Sequence, residues 1–453
     1  MAVSSLSSYE NAVARMYALG HELANTPSHK FDLGHIRILL ASLGSPEQKF
    51  PSVLIAGTNG KGSTAATLAS ILRASCLRTG LYTSPHLVRI NERIRIDGKA
   101  ISDEDFAAIY DKVERKAEEL VGRGDLPWHP SFFEMLTAMA FEFFAQEKVE
   151  IAVLEVGMGG RLDATNVVEP RVSVITDISL DHQKFLGNTV AEIAGEKAGI
   201  IRDAGVVVTL PQQPEANDVI GNSILAHNAR AINAVPFMPP VSPGSAEYAS
   251  CHESALARYP LLVMGQQIQV ETPLVGRHQL RNIALAIAAA EELKNQGFPV
   301  AAETIERGIR ETEWPGRFQV IAGTSVSPEY VFDVAHNPAG AWALRSTLSA
   351  RYGERPFTLV FGAMRDKAIA EMAEILFPLA ERIILTQADN PRSATPAELR
   401  KAADRVSAEM LESPNVEAAL QDAGKLAGTD GLIVVTGSIY IVGEAMNRLG
   451  VRI

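Results

Sequence analysis

Apolar and polar positions follow two rhythms along this chain. Short, nearly continuous β-branched runs alternate with longer stretches that place apolar residues at helical spacing. That is the pattern of βα units around a mostly parallel sheet. Val53–Ala56 reads as a strand, followed by a Gly-rich turn and a helix from about Ser63 to Ala74. Ile151–Val156 and Val172–Thr176 read as further strands, with a helix over Phe132–Phe144 before them. Helical spacing returns at His278–Leu293, and Glu313-Trp-Pro-Gly-Arg-Phe318 interrupts it. A second βα series then begins, with strands expected at Tyr330–Val334, Phe357–Phe361, Arg382–Leu385 and Leu432–Val435. The interruption puts a domain boundary near 300–312 and divides the chain into bodies of 1–305 and 306–453. Residues 211–260, richer in Pro, Asn and Ser, read as a less regular insertion or as edge hairpins.

Composition agrees with an α/β globular chain. At 453 residues and 47% hydrophobic there is ample material for full cores,. Lys and Arg number 42 against 53 acids, a formal net charge of −11. This argues against nucleic acid or an anionic membrane as partner, while leaving room for a local basic pocket. Cys76 and Cys251 are the two cysteines, too few for a disulfide framework, so a reducing compartment is expected,. The first residues lack a basic and apolar leader, and no apolar run reaches the roughly 18 residues of a membrane span,. The expectation is a cytoplasmic protein.

The strongest chemical signal is Gly57-Thr-Asn-Gly-Lys-Gly-Ser-Thr64 between a strand and a helix. A turn this tight needs Gly so that backbone N–H groups converge on phosphate oxygens, and the helix aims its positive end at the same point. Lys61 would neutralise the β/γ-phosphates and Ser63 could ligate Mg²⁺. The general G-x-x-x-x-G-K-[ST] pattern is not fully met: Ile55 stands at the first Gly and Gly62 follows the Lys. A Gly-rich turn without a ligand is the plainer alternative.

Three downstream residues could share that site. Glu155 ends a strand directly before Gly157-Met-Gly-Gly160, and parallel sheets gather ligands at the carboxyl ends of their strands,. A hard cation wants such an oxygen, though a lone Glu is also an ordinary solvated charge. His182 follows the next strand and could bind metal as a neutral imidazole or serve as a hydrogen-bonded structural residue. Lys197 lies in the apolar stretch Ala194-Gly-Glu-Lys-Ala-Gly-Ile-Ile201. Burial beside cations would lower its pKa, and the neutral amine could capture CO2 as a carbamate; a salt-bridged Lys is the commoner outcome.

Taken together these residues carry a recognisable pattern. Gly57-Thr-Asn-Gly-Lys-Gly-Ser, Ser84-Pro-His-Leu87, Leu154-Glu-Val-Gly-Met-Gly-Gly-Arg-Leu-Asp-Ala-Thr-Asn166, Asp181-His182, Glu196-Lys-Ala-Gly-Ile200 and Asp333-Val-Ala-His-Asn-Pro338 occur in one order. Over about residues 30–440 the chain resembles the folylpolyglutamate synthase/dihydrofolate synthase branch of the Mur ligase superfamily. The resemblance implies a P-loop-containing, Mur-ligase-like ATPase domain with a mostly parallel sheet, followed by a smaller Rossmann-like C-terminal domain. It implies ATP phosphates on Asn59, Gly60, Lys61 and Gly62, with Ser63 nearby. Ser84 and Glu155 would hold one Mg²⁺, and His182 a second with Lys197 as carbamate. Asn282, Arg317 and Asp333 would reach the nucleotide, and His336 would stand in the interdomain cleft, so that Lys61, Lys197, His182 and His336 form the catalytic set.

For the pterin, the resemblance points to Phe31, Asp32 and Leu33, to Phe133, and to Leu162, Asp163 and Ala164. Phe133 could stack on a flat ring, yet Phe132, Phe141, Phe143 and Phe144 nearby make plain core packing an equal alternative,. The implied reaction adds L-glutamate to dihydropteroate and to reduced folates through an acyl phosphate, in a monomer; folylpolyglutamate synthesis alone is the narrower alternative. A muramyl-peptide ligase would need a UDP-binding domain before a phosphate loop that here starts near residue 57. A nucleotide-hydrolysing switch would not need the Asp333–Pro338 motif.

Overall fold

The computed structural model describes residues 7–20, 32–239 and 257–451. The first body is built on β1 (Ser52–Ala56), β2 (Thr79–Tyr82), β3 (Ile94–Ile96), β4 (Lys99–Ala100), β5 (Ile151–Glu155), β6 (Val172–Ile175), β7 (Val206–Thr209) and β8 (Arg230–Asn233). These form one sheet in the order β4-β3-β2-β5-β1-β6-β7-β8. It is parallel from β2 to β8, with β3 and β4 antiparallel at one edge.

The central strands read as continuous apolar runs because both their faces are covered. Leu54, Ala56 and Leu154 face a core with Phe132, Met135 and Met139 of the helix Phe132–Gln146. That helix starts on a capping box between Ser131 and Glu134,. Val53, Ile55 and Val153 face the opposite core, shared with Leu68 and Leu72 of the helix Lys61–Ala74 and with Ile283 and Ile287 of Arg277–Asn295.

Two expectations need correction. Residues 211–260 are more regular than their composition suggested: Pro214–Ala226 is a helix and completes a parallel unit from β7 to β8. Pro214 at its first turn starts the helix, and Ala216 and Ile220 are its buried residues,. β9 (Ala257–Val263) and β10 (Gln266–Thr272) form a separate antiparallel pair, of which only residues 257–260 fall within 211–260; residues 240–256 lie outside the described set. The cut between 305 and 306 falls inside the helix Ala302–Arg310. Its Ile305 and Ile309 share a core with Ile71 and Leu72, so this helix packs into the first body.

The second body contains β11 (Gln319–Ile321), β12 (Glu329–Phe332), β13 (Thr358–Phe361), β14 (Arg382–Leu385), β15 (Met410–Glu412) and β16 (Leu432–Thr436). Their order is β11-β12-β16-β13-β14-β15, parallel throughout except β11. The four strands expected from sequence lie at its centre.

Candidate active site

A cleft of about 620 Å³ opens between the two bodies. Its floor is the turn from β1 into the helix Lys61–Ala74. The Thr58 and Asn59 amides donate to the Asp177 carbonyl at 2.9 and 3.1 Å, and the Thr176 hydroxyl donates to the Asn59 carbonyl at 2.8 Å. The turn is thereby tied to the end of β6. Gly60 caps the helix at φ +88°, and a Cβ there would lie 2.1 Å from Asn282 Oδ1. Gly57 lies so close to Thr176 that its Cβ would fall 1.8 Å from the hydroxyl. Only Gly meets both demands. Without a side-chain cap, the first amides of this helix remain available to an anion,.

Glu155 closes β5 beside this turn. Its carboxylate accepts the Ser84 amide at 3.1 Å; burial raises its pKa against the pull of Lys61. His182 takes a left-handed conformation, φ 50°, at the start of a short helix. Burial, then the charge of Lys367, lowers its pKa to about 3, so its imidazole is neutral. Lys197 projects from the helix Val190–Ala198, and its Nζ donates to the Gly57 carbonyl at 2.8 Å. Burial and the charge of Lys61 lower its pKa to about 7.

These donors fit a magnesium nucleotide. Mg²⁺ retains waters and binds through one or two carboxylates together with substrate phosphates, so it needs no cage of protein ligands. Among the described residues there is no cluster of three or more His, Cys, Asp or Glu that would hold a metal alone. Glu155 and Ser84 lie together on one side of the Gly57–Gly60 turn, and Lys197 and the neutral imidazole of His182 also line the cleft.

The other lobe gathers the residues expected at the pterin. Asp32 caps the helix Leu33–Ser42, accepting the Gly34 amide at 2.9 Å. Phe133 departs from its neighbours: Phe132, Phe141, Phe143 and Phe144 are buried in core, whereas Phe133 lines the cleft with its ring against Gly157. Asp163 is buried and accepts from the Met158 and Thr165 amides, each at 3.0 Å, and from the Thr165 hydroxyl at 2.6 Å. Burial raises its pKa, with Thr165 opposing. Its carboxylate thus also holds the loop that carries Leu162 and Ala164, which line the cleft. Phe31 lies outside the described residues.

From the second body come Asp333, directly after β12, and His336. Asp333 accepts the Phe318 and Ala335 amides, both at 2.9 Å; burial raises its pKa against His278 and Arg317. Arg317 lies 5.9 Å above the Trp314 ring, and burial lowers its pKa. Gly276 caps the helix that carries Asn282, and buried Asn282 donates to Gln279 at 2.8 Å. Every described residue proposed for the nucleotide, metal or pterin lines this one cleft.

Sequence reasoning missed the bridge between the bodies. Asp181, quoted beside His182 but given no role, pairs with Lys367 at 2.7 Å, both side chains under 10% exposed. Burial pushes Asp181 up, but His336 and Lys367 outweigh it and hold the carboxyl far below the usual range. Asn337 Nδ2 donates to Asn59 Oδ1 at 3.0 Å and to Asp181 at 3.3 Å. Lys367 follows the end of β13 by six residues, a strand-end position that could have drawn notice. Arg281 clamps Asp177 with contacts of 2.6 to 3.0 Å and fixes the carbonyl under the Gly57–Gly60 turn.

Residues 133–290 match the model of the Mur ligase middle domain, and residues 316–439 that of the Mur ligase glutamate ligase domain. The dihydrofolate synthase/folylpolyglutamate synthase of Bacillus subtilis is 35% identical over 432 residues, covering 92% of this chain and 94% of its own. The Mycobacterium tuberculosis folylpolyglutamate synthase, solved with ADP and AMPPCP, superposes with a TM-score of 0.81 at 33% identity, covering 97% of this chain and 99% of that one. Escherichia coli FolC, solved with DHPP and ADP, gives 0.82 at 30% identity, covering 97% of each chain.

Proposed function

Because the chain belongs to the dihydrofolate synthase/folylpolyglutamate synthase family of Mur ligases, we propose that this cleft joins L-glutamate to dihydropteroate and to reduced folates at the expense of ATP. The observation that carries the reading is the convergence of the phosphate turn, Glu155, His182 and Lys197 with Asp333 and His336 of the second body. Relatives solved with ADP, AMPPCP and DHPP support nucleotide and folate-type ligands for this chain.

In the proposed sequence a carboxylate oxygen of the pterin substrate attacks the γ-phosphorus, the bond to ADP breaks, and an acyl phosphate forms. The amine of glutamate then attacks the acyl carbon, loses a proton, and phosphate departs. The chain works mainly by positioning and by charge. The amides of Asn59–Gly62 and the Lys61 ammonium receive the β/γ-phosphates, with Ser63 beside them. Asn282 and Asp333 hold the nucleotide from either body, and Arg317 supplies a buried positive charge. Ser84 and Glu155 would hold one Mg²⁺, and His182 and carbamylated Lys197 a second; the metal supplies charge neutralisation at the phosphates. Phe133 and the Asp32–Leu33 and Leu162–Ala164 segments take the pterin, while His336 faces the cleft beside Asp181.

We place the domain join in residues 311–317, after the helix that packs on the first body, and read the enzyme as a cytoplasmic monomer. No helix among the described residues is long and apolar enough to cross a membrane. The test supplies ATP, Mg²⁺ and L-glutamate with dihydropteroate or with tetrahydrofolate and identifies products by mass. Glutamyl products from both acceptors are expected. Product from tetrahydrofolate alone restricts the enzyme to chain extension, and ATP hydrolysis without product overturns the ligase reading.

A further inference from the structure

One backbone contact between the bodies has no part in the chemistry above. Gly443 lies in the helix Ile439–Arg448, and a Cβ there would fall 1.9 Å from the Leu87 carbonyl oxygen and 2.7 Å from its carbonyl carbon. Those are backbone atoms, so no side-chain rotation relieves the overlap. The helix and the Ser84–Leu87 segment therefore meet main chain to main chain. The Leu87 side chain joins the core of the second body with Val334 and Val442, and also closes on Gly316.

The partner segment is held to the first body at almost every residue. The Thr83 amide donates to the Arg93 carbonyl at 3.0 Å and the Ser84 amide to Glu155 at 3.1 Å. His86 Nδ1 accepts from Arg93 Nε at 2.8 Å. The amides of Leu87, Val88 and Arg89 all donate to the Glu92 carboxylate, at 2.8, 2.9 and 2.6 Å. A segment so fixed acts as a stop instead of a hinge. One turn before Gly443, residues Ser438–Tyr440 line the cleft. The depth to which the helix seats on Leu87 therefore sets where that end of the second body stands relative to Glu155.

We propose that the Leu87 carbonyl is the docking stop for the second body, and that Gly443 is a positioning residue for the ligase reaction, acting through the helix Ile439–Arg448. Glu92 is its anchor on the other side. The inference rests on the ligase reading for its kinetic test but not for its structural one.

Gly443→Ala is compared with Gly424→Ala, a helical glycine of the same body whose added Cβ meets nothing within 4 Å. Both change helix propensity alike, so only contact separates them. Gly443→Ala is expected to lower kcat by about 100-fold, since misplacement by about 1 Å has that effect. The KM for ATP should stay within about twofold. Small-angle scattering of the same variant should show a more open particle, and Gly424→Ala should match wild type in every readout. Glu92→Gln, which loosens the stop without adding bulk, should lower kcat in the same direction; it decides the matter if Gly443→Ala does not fold. Wild-type kcat in Glu92→Gln, or a Gly443→Ala protein indistinguishable from Gly424→Ala, overturns the proposal. If wild type forms no glutamyl product, the ligase reading falls, and scattering alone still judges the docking stop.

Discussion

Lys197→Met removes the proton-binding site of a buried amine while keeping much of its length. Lys197 is 4% exposed, and burial, then the charge of Lys61, lowers its pKa from 10.5 to about 7. The sign follows from proton counting. Between pH 7 and 10.5 the unfolded chain holds the proton that the folded chain has lost, so this group makes stability rise with pH across that window. Below about pH 7 the penalty is complete, about 5 kcal/mol. Integrated from pH 7 to pH 9, linkage relieves about 2 kcal/mol of it. Lys197→Met carries no such penalty, so its stability advantage over wild type should shrink by about 2 kcal/mol between those two pH values. Urea unfolding of both proteins, in chelated and CO2-free buffer, measures this directly. Parallel pH dependences would refute the reasoning. The same shift leaves about half of the amine neutral at pH 7, against about one part in three thousand for an ordinary Lys. Carbon-13 bicarbonate should therefore give a carbamate signal in wild type that Lys197→Met lacks.

Lys61→Ala is expected to abolish ATP turnover while the protein still melts cooperatively; retained turnover removes the phosphate-turn assignment. Gly60→Ala places a methyl 2.1 Å from Asn282 Oδ1 at a backbone φ of +88°. It should lower stability by about 1–3 kcal/mol and weaken nucleotide binding; an unchanged melting temperature with unchanged nucleotide titration counts against that geometry. Asp163→Ala leaves three donors of Met158 and Thr165 without their acceptor. Thermal melting should record a loss of about 1–3 kcal/mol. Addition to dihydropteroate should suffer more than chain extension, and equal loss of both separates Asp163 from the pterin.

Much of this was legible because certain signals are local. The apolar runs at Val53–Ala56 and Ile151–Val156 announce central parallel strands, whose both faces must be covered whatever the surrounding fold,. Gly57 and Gly60 announce a turn that only glycine can make, and Lys61 at the helix start marks it as a candidate anion site,. Glu155 and His182 could be placed at one site because one ends a parallel strand and the other comes after the next, and such strands end on one edge.

Other features are properties of distance, which one-dimensional patterning does not encode. The helix Pro214–Ala226 was obscured by a polar composition that suits a peripheral unit with only two buried residues, Ala216 and Ile220. The helix Ala302–Arg310 joins the first body because Ile305 and Ile309 meet Ile71 and Leu72 there, not because of its place in the sequence. Phe133 was indistinguishable from four neighbouring phenylalanines until packing buried the others. Asp181 and Lys367 are 186 residues apart, and their pairing exists only where the bodies meet. The sequence determined which residues are candidates for the chemistry, since residue type and strand-end position depend on local rules. The tertiary structure alone decided their protonation, their partners and the seat of one body on the other, because burial, the field of neighbouring charges and steric stops arise only from groups brought together across long stretches of chain.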